Sequence, residues 1–152
     1  MLSSCSPDQF ELIIKPHPDE DYELYEEIES EHENVHLITD NLYEAIAESD
    51  LTVTISSNVG IESVVIGTPC VCYNAYEPFI LDQTFGFADE VPIFRSADEF
   101  KKFVSHLDRN KLSQLRSQQQ TFVEENYCLE SDIATTIASY IQSDRRAENP
   151  ES

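Results

Sequence analysis

The sequence predicts an α/β protein, a Rossmann-like parallel sheet of four to five strands flanked by helices, with a helical C-terminal segment. Three observations predict it. Short apolar runs alternate with longer amphipathic stretches along the chain. The connections between them are short, as in βαβ units. Several of the short runs are apolar on both faces, which suits strands buried inside a parallel sheet.

The elements follow in order. Strands are expected at 12–15, 35–38, 51–55 and 70–73, with a shorter one at 91–94. The stretch 19–30 reads as a helix that places Leu24 and Ile28 one turn apart. The stretch 42–48 does the same with Leu42 and Ile46. A helix at 58–66 is stopped by Gly67, with Pro69 just beyond, which is the usual chemistry of a helix end. Beyond the last strand, Ser96 and Glu99 have capping-box spacing, and Phe100, Phe103, Val104 and Leu107 share one helical face. The stretch 111–127 carries Leu112, Leu115, Phe122 and Val123. The stretch 131–143 carries Ile133, Ile137 and Ile141 at every fourth position, with Ser131 as its N-cap. The expectation is a single domain over 1–143 followed by a polar tail at 144–152.

A chain of 152 residues supports one domain with a real core. Its formal net charge of −21 repels nucleic acid and anionic membrane, which excludes both as general partners. Disorder and a halophilic cytoplasm compete as explanations of the acidity. Periodic apolar blocks, with 40% hydrophobic residues, argue against disorder. Scarce lysine fits a halophilic setting. Cys5, Cys70, Cys72 and Cys128 form neither a CxxC pair nor a zinc spacing. Cys70 and Cys72 fall on one face of a strand and read as reduced packing residues. No charged-then-apolar leader is present, and no apolar run approaches the ~20 residues that span a bilayer. The expected location is the cytoplasm, or the inner membrane face as a peripheral protein.

Two loops carry the chemistry. The first follows the first strand, in "ELIIKPHPDED" at 11–21. No lysine or arginine occurs from Pro16 through Phe94, so Lys15 is the one obligate cation of the sheet region. It sits at the C-terminal end of a strand, the edge where open α/β sheets bind ligands. Pro16 and Pro18 fix the backbone around His17. The second loop is Ser56-Ser57-Asn58, between a strand and a helix N-terminus. Free N–H groups, hydroxyls and the helix dipole make such a place suitable for phosphate. Gly60 permits close approach, and Glu62, one turn in, is placed to accept bonds from ribose hydroxyls. A plain strand-to-helix turn and simple N-capping would explain each loop taken alone. Two such loops at one sheet edge favour a nucleotide phosphate site. With three glycines in the chain there is no GxGxxG fingerprint, nor a Walker-type loop.

"KPHP" after an apolar strand, followed by "LYEAIAESDLTVTISSNVGIESVVIGTPCV", resembles the nucleotide-sugar-binding half of GT-B glycosyltransferases. The likeness is to the capsule-polysaccharide group, which includes polysialyl- and Kdo-transferring enzymes and has relatives among CDP-glycerol glycerophosphotransferases. It covers roughly 11–77. The resemblance implies that His17-Pro18 and Ser56-Ser57 hold the donor's phosphates, with Lys15 and Glu62 assisting. It implies a nucleotide sugar as substrate, with no cofactor and no metal. Fixed N–H dipoles and a cation would stabilise charge building on the departing phosphate.

The same resemblance defines what to expect beyond the chain. A complete GT-B protein has a first domain that carries the acceptor and usually the catalytic base, so a separate N-terminal acceptor domain or subunit is an expected partner. The stretch 1–10 contains no good strand, which places the start of this sequence after the family's first strand. A fragment, a split-gene product and a degraded copy all stay open, as does a homodimer formed through an exposed sheet edge. Two alternatives also stay open for function. One is an enzyme like the non-hydrolysing UDP-N-acetylglucosamine 2-epimerase, whose Asp-Ser-Gly-Gly…Glu-Glu loop matches poorly, since Ile55 precedes the serines and Ser63 follows Glu62. The other is a non-catalytic α/β partner module.

Overall fold

The computed structural model describes residues 10–55, 58–75 and 90–126. Strands and helices alternate as β1 (Leu12–Ile14), α1 (Tyr22–Glu31), β2 (Val35–Leu37), α2 (Leu42–Glu48), β3 (Thr52–Thr54), α3 (Val59–Ile66), β4 (Cys70–Tyr73) and β5 (Ile93–Phe94). Two helices close the described chain, α4 (Ala97–Ser105) and α5 (Arg109–Asn126). The architecture is α/β and Rossmann-like, and every strand pair is parallel. The five strands divide into two small sheets, β1-β2 and β3-β4-β5, where one was expected. The helix expected at 131–143, the tail at 144–152, Tyr127, Cys5 and Cys128 lie outside the described residues.

Proline chemistry moves the start of α1. The Glu20 N–H donates to the His17 carbonyl at 2.9 Å, closing a turn with Pro18 at its second position. Asp21 then caps the helix by accepting from the Glu23 N–H at 3.1 Å. Residues 19 and 20 are therefore turn, and the expected start at 19 is corrected to Tyr22. The inward stripe is Tyr22, Tyr25, Ile28 and Glu29, all half-buried, whereas Leu24 is 56% exposed. Leu24 and Ile28 are one turn apart, as expected, but the stripe is centred on Tyr25 and Glu29, so Ile28 lies within it and Leu24 beyond its margin. Glu29 instead reaches the outer edge of β2, where it accepts the Leu37 N–H at 2.7 Å.

The end of α3 is a Schellman turn. Gly67 has φ 108°, and its N–H reaches the Val64 carbonyl while the Thr68 N–H reaches that of Ser63. Buried Ser63 donates to the Thr68 carbonyl at 2.8 Å and shares a hydrogen bond with the Thr52 hydroxyl at 2.7 Å. The Thr68 hydroxyl donates to the Ile46 carbonyl at 2.7 Å, fastening α2 to the α3–β4 corner.

The core lies between α3, β4 and α5. Val64, Cys70, Cys72, Val91 and Val123 are buried, with Ile61, Val65, Ile93 and Phe122 packed against them. Cys70 and Cys72 are free thiols on this face, as expected. Burial, and secondarily the neighbouring Cys72, pushes the Cys70 thiol strongly up. Gln119, 1% exposed, sits among them. Its Oε1 accepts the Cys70 N–H at 2.8 Å, and its Nε2 donates to the carbonyls of Cys70 at 2.6 Å and Glu90 at 3.1 Å. The pairing of β4 with β5 begins only at Cys72 and Ile93. The Gln119 amide thus replaces a strand beside Cys70, satisfying backbone groups that burial would otherwise orphan.

The opposite face of β4 and β5 receives α4. Phe94 packs edge-on to Phe100 at 5.5 Å between ring centroids and tilted against Phe103 at 4.8 Å, while Tyr73 lies 5.6 Å from Phe100. Ser96 caps α4 by accepting the Glu99 N–H at 3.3 Å. The Glu99 carboxylate returns to the Arg95 N–H at 2.9 Å, one position before the N-cap, so the capping box closes one residue early.

Candidate functional site

Parallel pairing brings the C-terminal ends of the strands in each sheet to one edge. Lys15, half-buried, leaves β1 at that edge and forms no ion pair among the described residues. Pro16 is buried and anchors the turn that follows. His17 is 69% exposed. Its backbone N–H donates to the Glu20 carboxylate at 2.8 Å, which locks the turn. Its ring Nδ1 accepts the Asp19 N–H at 3.2 Å. In the neutral ring this assigns the proton to Nε2, the nitrogen left to donate to an incoming oxyanion. The Asp19 carboxylate lies 3.5 Å from Nδ1.

The second loop joins β3 to α3. Ser56 and Ser57 lie outside the described residues. Asn58 already has helical backbone, φ −54° and ψ −22°, and its side chain caps no N–H. Gly60 is buried in the first turn of α3 and does not use a left-handed conformation. Glu62 is half-buried and engaged from α2 by Tyr43. Burial first, then the charge and the hydrogen bond of Glu62, raises the Tyr43 phenol above its ordinary 10.0. Tyr43 on α2 and Glu62 on α3 are thus neighbours across the two helices.

Lys15 and His17 stand on the β1–β2 sheet, whereas Asn58, Gly60 and Glu62 stand on the helix after β3. No hydrogen bond or ion pair joins the one set to the other among the described residues. Two residues absent from the sequence reading share the edge of the larger sheet. Asn74 follows β4, is buried, and donates its backbone N–H to the Phe94 carbonyl at 2.9 Å. Arg95 follows β5 at the adjacent position, set by the Tyr73–Phe94 register. Its signal in the sequence was its place, the first cation after the long gap that begins at Pro16. A depression of about 440 Å³ beside α5 is lined by Glu90, Ser117, Gln118, Thr121, Phe122 and Glu125. Its two carboxylates and lack of a cation make it a poor phosphate site, and Glu90 lies at the opposite end of β5 from Arg95.

Fold and edge together define an α/β protein with polar and cationic groups at the C-terminal ends of parallel strands. No protein-family model, curated protein or solved structure matches the chain. No helix among the described residues is long and apolar enough to cross a membrane.

Proposed function

We propose that the chain is the donor-binding half of a GT-B-type glycosyltransferase of surface or capsule polysaccharide biosynthesis, its acidic surface suited to a halophilic cytoplasm. It binds the phosphates of a nucleotide sugar through Lys15, His17 and the loop at 56–62. The observation that carries this reading is the His17 turn. A proline-fixed turn at the end of a parallel strand engages Nδ1 through the Asp19 N–H and leaves Nε2 to donate outward. Lys15, two residues earlier, supplies charge that the rest of the sheet region lacks until Arg95.

The test is a titration of the folded chain with CMP, CDP, UMP and UDP in molar KCl, followed by NMR. Shifts concentrated at His17 and 58–62 are expected. His17→Ala should weaken binding by ~1–3 kcal/mol, the usual loss of a hydrogen bond to a charged group. No shift with any nucleotide in a well-folded sample would return the chain to the class of non-catalytic α/β modules. Unchanged affinity in the alanine variant would remove His17 from the site.

A further inference from the structure

We infer that Asn74 and Arg95 complete an oxyanion subsite with the N-terminus of α3, where they grip a phosphoryl group of the nucleotide. This rests on the reading of the α3 loop as a phosphate site, and it gives that loop a cation from its own sheet.

Alternation along the strands carries the argument. Successive strand side chains point to opposite faces of a sheet. The Tyr73 and Phe94 rings pack on α4, whereas Cys72 and Ile93, one position earlier, belong to the core beside α3. The ladder continues past the strands, since the Asn74 N–H donates to the Phe94 carbonyl at 2.9 Å. Asn74 and Arg95 therefore fall on the face of Cys72 and Ile93, side by side through the β4–β5 register. Helix α3 starts at the same edge, because it follows the C-terminal end of β3. Ile61, in its first turn, packs against the same core cluster. The Gly60 N–H just before it has no helical acceptor. Such a helix end stabilises an anion.

The side-chain donors are a second, independent observation. Asn74 is 1% exposed, and Arg95 is half-buried. Both residues have interactions elsewhere, yet the Asn74 Nδ2 and Arg95 Nη1 atoms are buried and make no hydrogen bond. Two leftover donors in one place call for an acceptor. Charge makes that acceptor an anion. Arg95 is always protonated, and neither α3 nor any strand of the larger sheet carries a lysine or arginine. Lys15 belongs to the other sheet. The carboxylates of Asp98 and Glu99 stand on the α4 side, and that of Glu99 already accepts the Arg95 N–H at 2.9 Å. A planar guanidinium beside an amide N–H suits the oxygens of a phosphoryl group. The competing acceptor is the stretch 76–89 of the same chain, through Glu77, Asp82 and Asp89.

The test titrates the full chain in molar KCl with inorganic pyrophosphate and, separately, with UDP and CDP. The Gly60 N–H, the Asn74 side-chain amide and the Arg95 Nε–H are followed by NMR, and all three are expected to shift with one Kd. Arg95→Gln should weaken pyrophosphate binding about tenfold or more. Arg95→Lys should weaken it less, because lysine keeps the charge and loses the fork. Arg116→Gln removes the same charge from an exposed position on α5 and should leave the affinity unchanged. Unchanged affinity in a folded Arg95→Gln chain overturns the inference and leaves the donor reading standing, as does binding that moves neither Asn74 nor Arg95. Failure of every probe to bind a folded chain overturns both. If pyrophosphate moves the Arg95 signal only after Glu77→Gln, Asp82→Asn and Asp89→Asn are combined, the chain itself supplies the acceptor and the inference is overturned.

Discussion

Replacing Gln119 by methionine tests the replacement of strand pairing by a side chain. Methionine has similar length and flexibility but supplies neither the acceptor nor the donor that Cys70 uses at 2.8 and 2.6 Å. Cys70 is fully buried, so its N–H and C=O would both be left without water or partner. Each such orphan costs roughly 1–3 kcal/mol. The apolar side chain returns about 1 kcal/mol through burial of area that the amide occupied. The Glu90 carbonyl, on a half-buried residue, is expected to find water. The net loss should be about 1–5 kcal/mol. With a urea slope near 2 kcal/mol per molar for a domain of this size, the midpoint should fall by roughly 0.5–2.5 M. Urea unfolding in molar KCl, followed by circular dichroism, measures it directly. A fall below about 0.3 M at unchanged slope would refute the reasoning, because it would mean that β4 satisfies Cys70 by other means.

Three further outcomes are expected. Gly67→Ala forces a Cβ into φ 108° and should cost ~1–2 kcal/mol by urea unfolding, from backbone strain, since the new Cβ would meet only the end of Gln120 at 3.7 Å. Tyr43 should ionise above 10.0, and Glu62→Gln should move it part of the way back, burial being the larger cause. The folded state holds this proton more tightly, so the associated stability is full below the unfolded pKa and is lost as pH rises through the folded one. Ultraviolet titration of the phenolate, with a Tyr43→Phe reference, reads both effects. Cys70 and Cys72 should resist alkylation in the native chain at neutral pH and label fully in urea. Peptide mapping by mass spectrometry separates them from Cys5 and Cys128, and native labelling at either buried thiol would contradict its packing.

Local chemistry was legible in the sequence where a residue type has one job. Gly67 and Pro69 ended α3, Ser96 opened α4, and the Cys70–Tyr73 run gave β4 with its bounds intact. The aromatic spacing of Phe100 and Phe103 correctly named the face that meets Phe94. What escaped depends on contacts distant along the chain. Gln119 reaches Cys70 across 49 positions and stands in a run of three glutamines that composition cannot separate. Helical phase could have singled it out, because Leu115, Gln119 and Val123 recur every fourth residue. Leu24 misled because its type suggests burial, while Tyr22, Tyr25 and Glu29 centre the inward stripe one side of it and leave it at the exposed margin. In the candidate site the positions of Lys15 and His17 followed from the end of β1. Arg95 and Asn74 became neighbours only through the register of β4 with β5.

The division of the sheet bears on how tightly any ligand could be held. In β1, α1 and β2, with their connecting turns, Pro16 and Val35 are the buried residues, while the main core lies in α3, β4 and α5. The smaller piece is therefore the part of the described chain that opens at least cost. A ligand that needs His17 together with α3 binds only the fraction of molecules in which that piece is formed, and its apparent Kd rises by the inverse of that fraction. Salt that screens the acidic surface would then change affinity without touching a single group on the ligand. The stability of three short elements, rather than the strength of the contacts, would set the working concentration of the site.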